Sequence, residues 1–247
     1  MKTPRTKHEL VLGIETGSEH ISIGLLGLVP GAGLGGAVVL DSLIMRRDDP
    51  REDSVLRSVD AVLSRHGKGP SDLVLIAVGR GPGSFTGIRV GLSVALGLSL
   101  GSGVAAWPVC SLGALALNAN APDRLVLALL DARKGEVYGG LFRLGIGAPE
   151  VVLAPRLGTC EAVTALAAST TIEVFGAGAT PVVLGSGSVA YGVASALPPG
   201  AHVACGVMVA WLAAHEWSAS GRDPSQAPAL DAVYLRRPEA EIALESG

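Results

Sequence analysis

The run Gly79-Arg-Gly-Pro-Gly-Ser-Phe-Thr-Gly-Ile-Arg89 constrains this chain more than any other. It follows an apolar, strand-like stretch from Leu73 to Val78 and opens a helix expected over Thr86 to Leu100. A strand, a glycine-rich turn and a helix start bring free backbone N–H groups together, an arrangement that can hold an anion. Ser84 is suited to cap that helix, because its hydroxyl can accept from the first turn's N–H groups. Along the helix, small residues recur at every fourth position: Gly87, Gly91, Ala95, Ser99 and Gly103. Such a stripe lets another element approach closely, either a partner's helix or this chain's own sheet.

Composition sets the frame for that motif. The chain has 247 residues, 49% hydrophobic but only 4% aromatic, and 34 glycines, which points to a tightly turned α/β protein built on Val, Leu and Ala. A formal net charge of −3 argues against a broad nucleic-acid footprint. The basic clusters Arg46, Arg47, Arg51 and Arg236, Arg237 read as solvated surface. Cys110, Cys160 and Cys205 are far apart and form no CxxC pair, so neither a disulfide framework nor a zinc ribbon is expected. The start MKTPRTKHEL leads into an apolar run too short for a signal peptide and interrupted by Glu15. A reduced, cytoplasmic protein is expected. Residues 90–122 carry no formal charge, but Gly101, Gly103 and Pro108 punctuate them, so a buried helix, a short strand (Val104–Trp107) and a second helix are expected rather than a membrane span.

Periodicity places three strands at Leu10–Ile14, His20–Gly27 and Gly36–Met45, with a Gly-rich loop at 30–36. A helix over Glu52–His66 puts Val55, Leu56, Val59 and Leu63 on one face, and the Leu73–Val78 strand and the Thr86–Leu100 helix follow. The order β-β-β-α-β-α then repeats: strands at Leu125–Leu130, Glu136–Arg143 and around Val151, a helix at Glu161–Ala168, a strand at Pro181–Leu184 and a short helix at Val189–Ala196. Two such lobes are the architecture of the actin, sugar-kinase and Hsp70 superfamily, the actin-like (ASKHA, ribonuclease H-like) α/β fold. The expected units are residues 1–108, residues 109–205, and a helix and tail at 206–247 packing back on the first lobe.

GRGPGSFTGIRVGLSVALGL, together with VLGIETGS, LLDARKGEVYGGLF and AVYLRRPE in that order, resembles the TsaB (YeaZ) family. The resemblance implies an accessory scaffold without catalysis of its own. It would pair with TsaD and, with TsaE, support formation of threonylcarbamoyladenosine beside the anticodon of tRNAs reading ANN codons, from an adenylate made by TsaC-type enzymes. It also implies a partner face on Val55, Val59, Gly87, Val90, Gly91, Val94, Ala95 and Ser99, tRNA contact only through the complex, a homodimer when alone, and no membrane. The catalytic paralogue TsaD carries an HxxxH pair; the matching helix here reads Arg51-Glu-Asp-Ser-Val-Leu-Arg57, and no other histidines have ligand spacing, so no metal site is expected.

In the superfamily a nucleotide lies between the lobes, and the matching turns are Glu15-Thr16-Gly-Ser18 and Asp131-Ala-Arg-Lys134. Backbone N–H groups there could cradle phosphate beside a Mg²⁺-holding carboxylate, or the turns could be plain hairpins. Gly185 and Gly187, where relatives hold adenosine, admit the same two readings. No cofactor is required of the chain itself; ATP or ADP with Mg²⁺ is left to the complex. The rival classes are an active ASKHA-type ATPase or small-molecule kinase, and a peptidase. For the latter, the formal GxSxG at Gly97–Gly101 puts Ser99 in mid-helix, not on a nucleophile elbow.

Overall fold

The computed structural model describes residues 8–46 and 52–236. β1 (Glu9–Glu15) and β2 (His20–Leu28) pair antiparallel, and β3 (Val38–Arg46) extends them as an edge strand. β4 (Leu73–Gly79) and then β5 (Ala106–Val109) add in parallel on the far side of β1, giving the order β3-β2-β1-β4-β5. The near-continuous apolar runs of β1, β2 and β4 are what strands covered on both faces require. Alternate residues serve the two faces. Leu12, Ile14, Ile23 and Leu25 meet α1 (Glu52–Arg65) and α2 (Phe85–Ser102), while Val11, Leu26 and Leu75 meet α6 (Gly206–Ala219).

The second sheet repeats the plan. β6 (Leu125–Arg133), β7 (Glu136–Arg143) and β8 (Glu150–Thr159) form an antiparallel meander, and β9 (Val182–Leu184) pairs parallel with β6, giving β8-β7-β6-β9. α3 (Ser111–Ala116) packs into its core on one face, α4 (Cys160–Phe175) covers the other, and α5 (Ser186–Ala190) follows β9. Two β-β-β-α-β-α lobes, each with the strand order of the ribonuclease H-like fold, make this the actin-like architecture the repeat predicts.

Several elements differ from their sequence-based bounds. The short helix expected at Val189–Ala196 begins instead at Ser186, because Gly185 (φ 105°) turns the chain out of β9 at once, and Gly192 (φ 69°) follows its end. α4 runs to Phe175, seven residues past the expected stop at Ala168. The Ser-Thr-Thr sequence there is a poor helix former, but Thr171 is buried and donates its hydroxyl to the Ala167 carbonyl (2.6 Å), so packing overrides propensity. The strand expected at Val104–Trp107 lies two residues later, and the loop at 30–36 closes with a 3₁₀ turn at Gly33–Gly36. Of the two basic clusters, only Arg46 and Arg236 fall among the described residues.

α2 has the length and apolarity of a membrane span, with a mean hydropathy of 1.3 over 18 residues. Its inner face (Ile88, Gly91, Leu92 and Ala95) is buried against the first sheet, as in a core helix.

α6 sits unusually close to that sheet's other face. A Cβ on Gly13 would lie 1.9 Å from the Gly206 carbonyl oxygen, and one on Gly24 would lie 2.4 Å from the Val207 nitrogen. The Gly206 N–H donates to the buried Ser22 hydroxyl (2.9 Å). Backbone therefore touches backbone where a helix end crosses two strands, and no side chain fits at Gly13, Gly24 or Gly206. Gly206→Ala is expected to destabilise the protein by about 1–3 kcal/mol through overpacking. Urea unfolding should show a lower midpoint at unchanged slope.

Candidate functional site

β1 delivers Glu15 and Thr16 to the end of the first sheet, beside the start of α2. The structure turns both inward, each 1% exposed. Glu15 Oε1 accepts from the Gly17 N–H (2.6 Å), so the turn's own carboxylate takes the amide that a phosphate would need. Oε2 lies beside the Ser111 hydroxyl without an aligned hydrogen bond, and a Cβ on Gly79 would fall 2.1 Å from it. Burial pushes the Glu15 carboxyl above the usual range, opposed by Ser111 and by the N–H groups of Gly17 and Thr16.

The same turn is stitched to α2. Thr16 Oγ1 donates to the Gly87 carbonyl (2.8 Å), and the Ser84 N–H donates to the Gly17 carbonyl (2.7 Å). Ser84 Oγ accepts from the Gly87 N–H (3.4 Å), the capping role its position suggests. A Cβ on Gly83 would meet the Gly17 oxygen at 2.4 Å. The glycine-rich run is therefore spent on bringing two backbones together. Glu15 and Thr16, expected to face a nucleotide, are turned into the first lobe, with the carboxyl enclosed and the Gly17 amide bonded to it, while Gly17, Ser18 and Glu19 line the cleft.

The second turn is more open. Lys134 and Gly135, both at positive φ, form the two-residue β6–β7 hairpin loop. Asp131 is exposed. Its Oδ1 accepts from the Arg133 N–H (2.8 Å) and from Tyr191 (3.4 Å), while its N–H donates to Ser186 Oγ (3.1 Å). Gly185 and Gly187 are explained by contact: a Cβ on Gly185 would lie 2.1 Å from the Leu129 oxygen, and one on Gly187 would lie 3.0 Å from the Leu130 carbonyl carbon. They let α5 lie against β6. Among the described residues no group of three or more His, Cys, Asp or Glu is arranged to hold a metal.

Between the lobes lies a cleft of about 850 Å³. Gly17, Ser84 and Phe85 line it from the first lobe and Asp131, Ser186 and His202 from the second. Residues 234–236 form part of its wall, a contribution that only the closing AVYLRRPE motif hinted at in the sequence.

The expected partner residues divide. Val55, Val59, Gly87, Gly91, Val94 and Ala95 are buried in the first lobe's own core, and Val90 and Ser99 are half-buried. The small-residue ladder thus serves this chain's own sheet: a Cβ on Gly91 would come 2.3 Å from Thr16 Oγ1. The outward stripe of α2 instead carries Arg89, Ser93, Leu96, Gly97 and Leu100, with Leu96 45% and Leu100 78% exposed. α1 adds Leu56, 44% exposed.

Fold and cleft define a two-lobed actin-like protein whose first phosphate-type turn keeps its carboxyl buried. A family model described as TsaD, tRNA N6-adenosine threonylcarbamoyltransferase, matches residues 51–175, about half of the chain. The tRNA threonylcarbamoyladenosine biosynthesis protein TsaB of Escherichia coli K12 is 44% identical over 36% of this chain and 40% of its own length. That of Haemophilus influenzae is 35% identical over 52% and 51% respectively, so the chain spans about half or less of the length of these two curated relatives. A solved Pseudomonas aeruginosa protein, described as uncharacterized with similarity to peptidase YEAZ, superposes with a TM-score of 0.70 at 26% identity, covering 92% of this chain and all of that one. The chain belongs to the TsaB (YeaZ) family.

The enclosed carboxyl makes a prediction about pH. Because the folded state holds the Glu15 proton to higher pH than the unfolded chain does, its contribution is full below the ordinary carboxylate range. That contribution is lost as pH rises toward the raised value. Urea unfolding between pH 5 and 8 should show a stability decline in the wild type that Glu15→Gln removes, with the variant at least as stable at pH 8.

Proposed function

We propose that this chain is the accessory subunit of tRNA threonylcarbamoyladenosine formation, acting in the cytoplasm by pairing with TsaD and, with TsaE, activating it. Family membership supports the pathway. The observation that carries the pairing is the outward face of α2: Leu96 and Leu100 lie one turn apart and exposed, with Gly97 leaving room between them. Apolar side chains at i and i+4 beside a glycine suit a second helix laid against the first. The same face would serve self-association when the chain is alone, so homodimer and TsaD complex compete for it. tRNA is reached through the complex, in keeping with the chain's net negative charge.

The enclosed Glu15 carboxyl supports a role without turnover by this chain, and on this reading ATP or ADP with Mg²⁺ is a matter for the complex rather than a requirement of the chain itself. Reconstitution with TsaC, TsaD, TsaE, tRNA and ATP is expected to yield modified tRNA only when this chain is added. Equal product without it would overturn the proposal. The double variant Leu96→Asp, Leu100→Asp should weaken TsaD binding roughly 100-fold or more, since each apolar side chain contributes about 1.5–3 kcal/mol when buried. Its melting temperature should stay near that of the wild type. Gly91→Leu is not a test of the interface, because it would break the Thr16–Gly87 contact inside the lobe.

A further inference from the structure

The segment after α6 returns along the cleft and grips both lobes in turn. Leu230 and Ala232 pack on the first lobe's core, and the Val233 N–H donates to the Arg80 carbonyl (2.8 Å) at the end of β4. The Tyr234 ring lies on Phe85 of α2 (centroids 4.8 Å apart), and its hydroxyl accepts from Arg89 Nε (2.8 Å). The Arg89 guanidinium in turn sits 3.8 Å over the Phe85 ring. One residue later the chain has crossed. Leu235 packs on the second lobe's core, and Arg236 donates to the Ala132 carbonyl (2.8 Å) and pairs with the Glu136 carboxylate across the β6–β7 hairpin.

We infer that residues 230–236 are an interlobe clamp that holds the cleft at one opening and makes the two lobes move as a single body. Among the described residues the chain otherwise passes between the lobes twice, from β5 through α3 to β6 and from residue 203 into α6. The lobes also meet where α3 packs on α6 and Ser111 bonds to Gly81, on the inner side of the cleft; the third crossing, set in the cleft's wall, opposes rotation about that contact. The anchors differ in kind on the two sides, an aromatic stack with a backbone hydrogen bond on the first lobe and a charge-assisted pair on the second. Breaking one side should therefore free the hinge without unfolding either lobe. This clamp is independent of the tRNA reading, since it needs no partner and is measured on the chain alone.

Hydrogen exchange on the full chain tests it, comparing wild type with Tyr234→Ala, Arg236→Ala and with the single variant Arg236→Lys. The double variant is expected to exchange roughly tenfold faster or more at the amides of residues 131–136 and 80–84, with those of β1 and β6 interiors unchanged. Arg236→Lys, which keeps the charge but not the forked reach to both Ala132 and Glu136, should show a smaller rise at the same amides. Unchanged exchange facing the cleft would make the segment a passive tail and overturn the clamp. An equal rise in the strand interiors would make it part of the folding core, which also overturns it. If the double variant fails to fold, an unchanged Arg236→Lys profile decides against the clamp and a local rise decides for it.

Discussion

The stitching of the β1–β2 turn to the start of α2 is the contact on which the rest of the first lobe depends. Thr16 bonds to Gly87, Gly17 to Ser84, and Glu15 folds back on Gly17, so that a strand end and a helix start share one set of backbone groups. That contact sets where α2 lies on the sheet. It requires Gly83 and Gly91 to lack side chains, and it determines which stripe of α2 is left for solvent. It also uses up the amide and carboxyl that a phosphate and its cation would otherwise claim. One local arrangement thus accounts for both the enclosure of the Glu15 carboxyl and the orientation of α2 on its sheet.

A second close approach, Gly13 and Gly24 against Gly206, fixes α6 on the opposite face of the same sheet. The first sheet is therefore held between two helix layers, each packed through large apolar side chains and brought closest at glycines. This fits a chain rich in glycine and poor in aromatic residues. Some of the few aromatic rings are placed at junctions. Phe85 and Tyr234 meet at the cleft, and Trp107 donates its Nε1–H to Glu216 (2.9 Å) between β5 and α6.

Much of the fold was legible because it is local. Apolar runs such as Leu10–Ile14 and Leu73–Val78 read as buried strands, and the repeated order of elements pointed to two lobes. The small-residue ladder was legible as a close-packing stripe, but its destination was not: Gly91 points at Thr16, 75 positions away in the chain, and nothing in the spacing distinguishes that from a partner. Gly185 and Gly187 looked like a ligand turn for the same reason, since the Leu129 and Leu130 backbone that excludes a Cβ there is distant in sequence. The end of α4 was misread from propensity, which the buried Thr171 overrides. The segment at 230–236 is legible only as a motif, because its partners Phe85, Arg89 and Ala132 lie more than 100 residues away.

The closed bond between the Gly17 amide and the buried Glu15 carboxyl is the feature most directly open to measurement. Amide chemical shifts of Thr16, Gly17 and Ser84, followed while MgATP or MgADP is added to the chain alone, report on the groups a nucleotide would have to engage. The structure predicts that these three signals stay in place across the titration. A saturable shift of the Gly17 amide, with loss of its hydrogen bond to Glu15, would contradict the account.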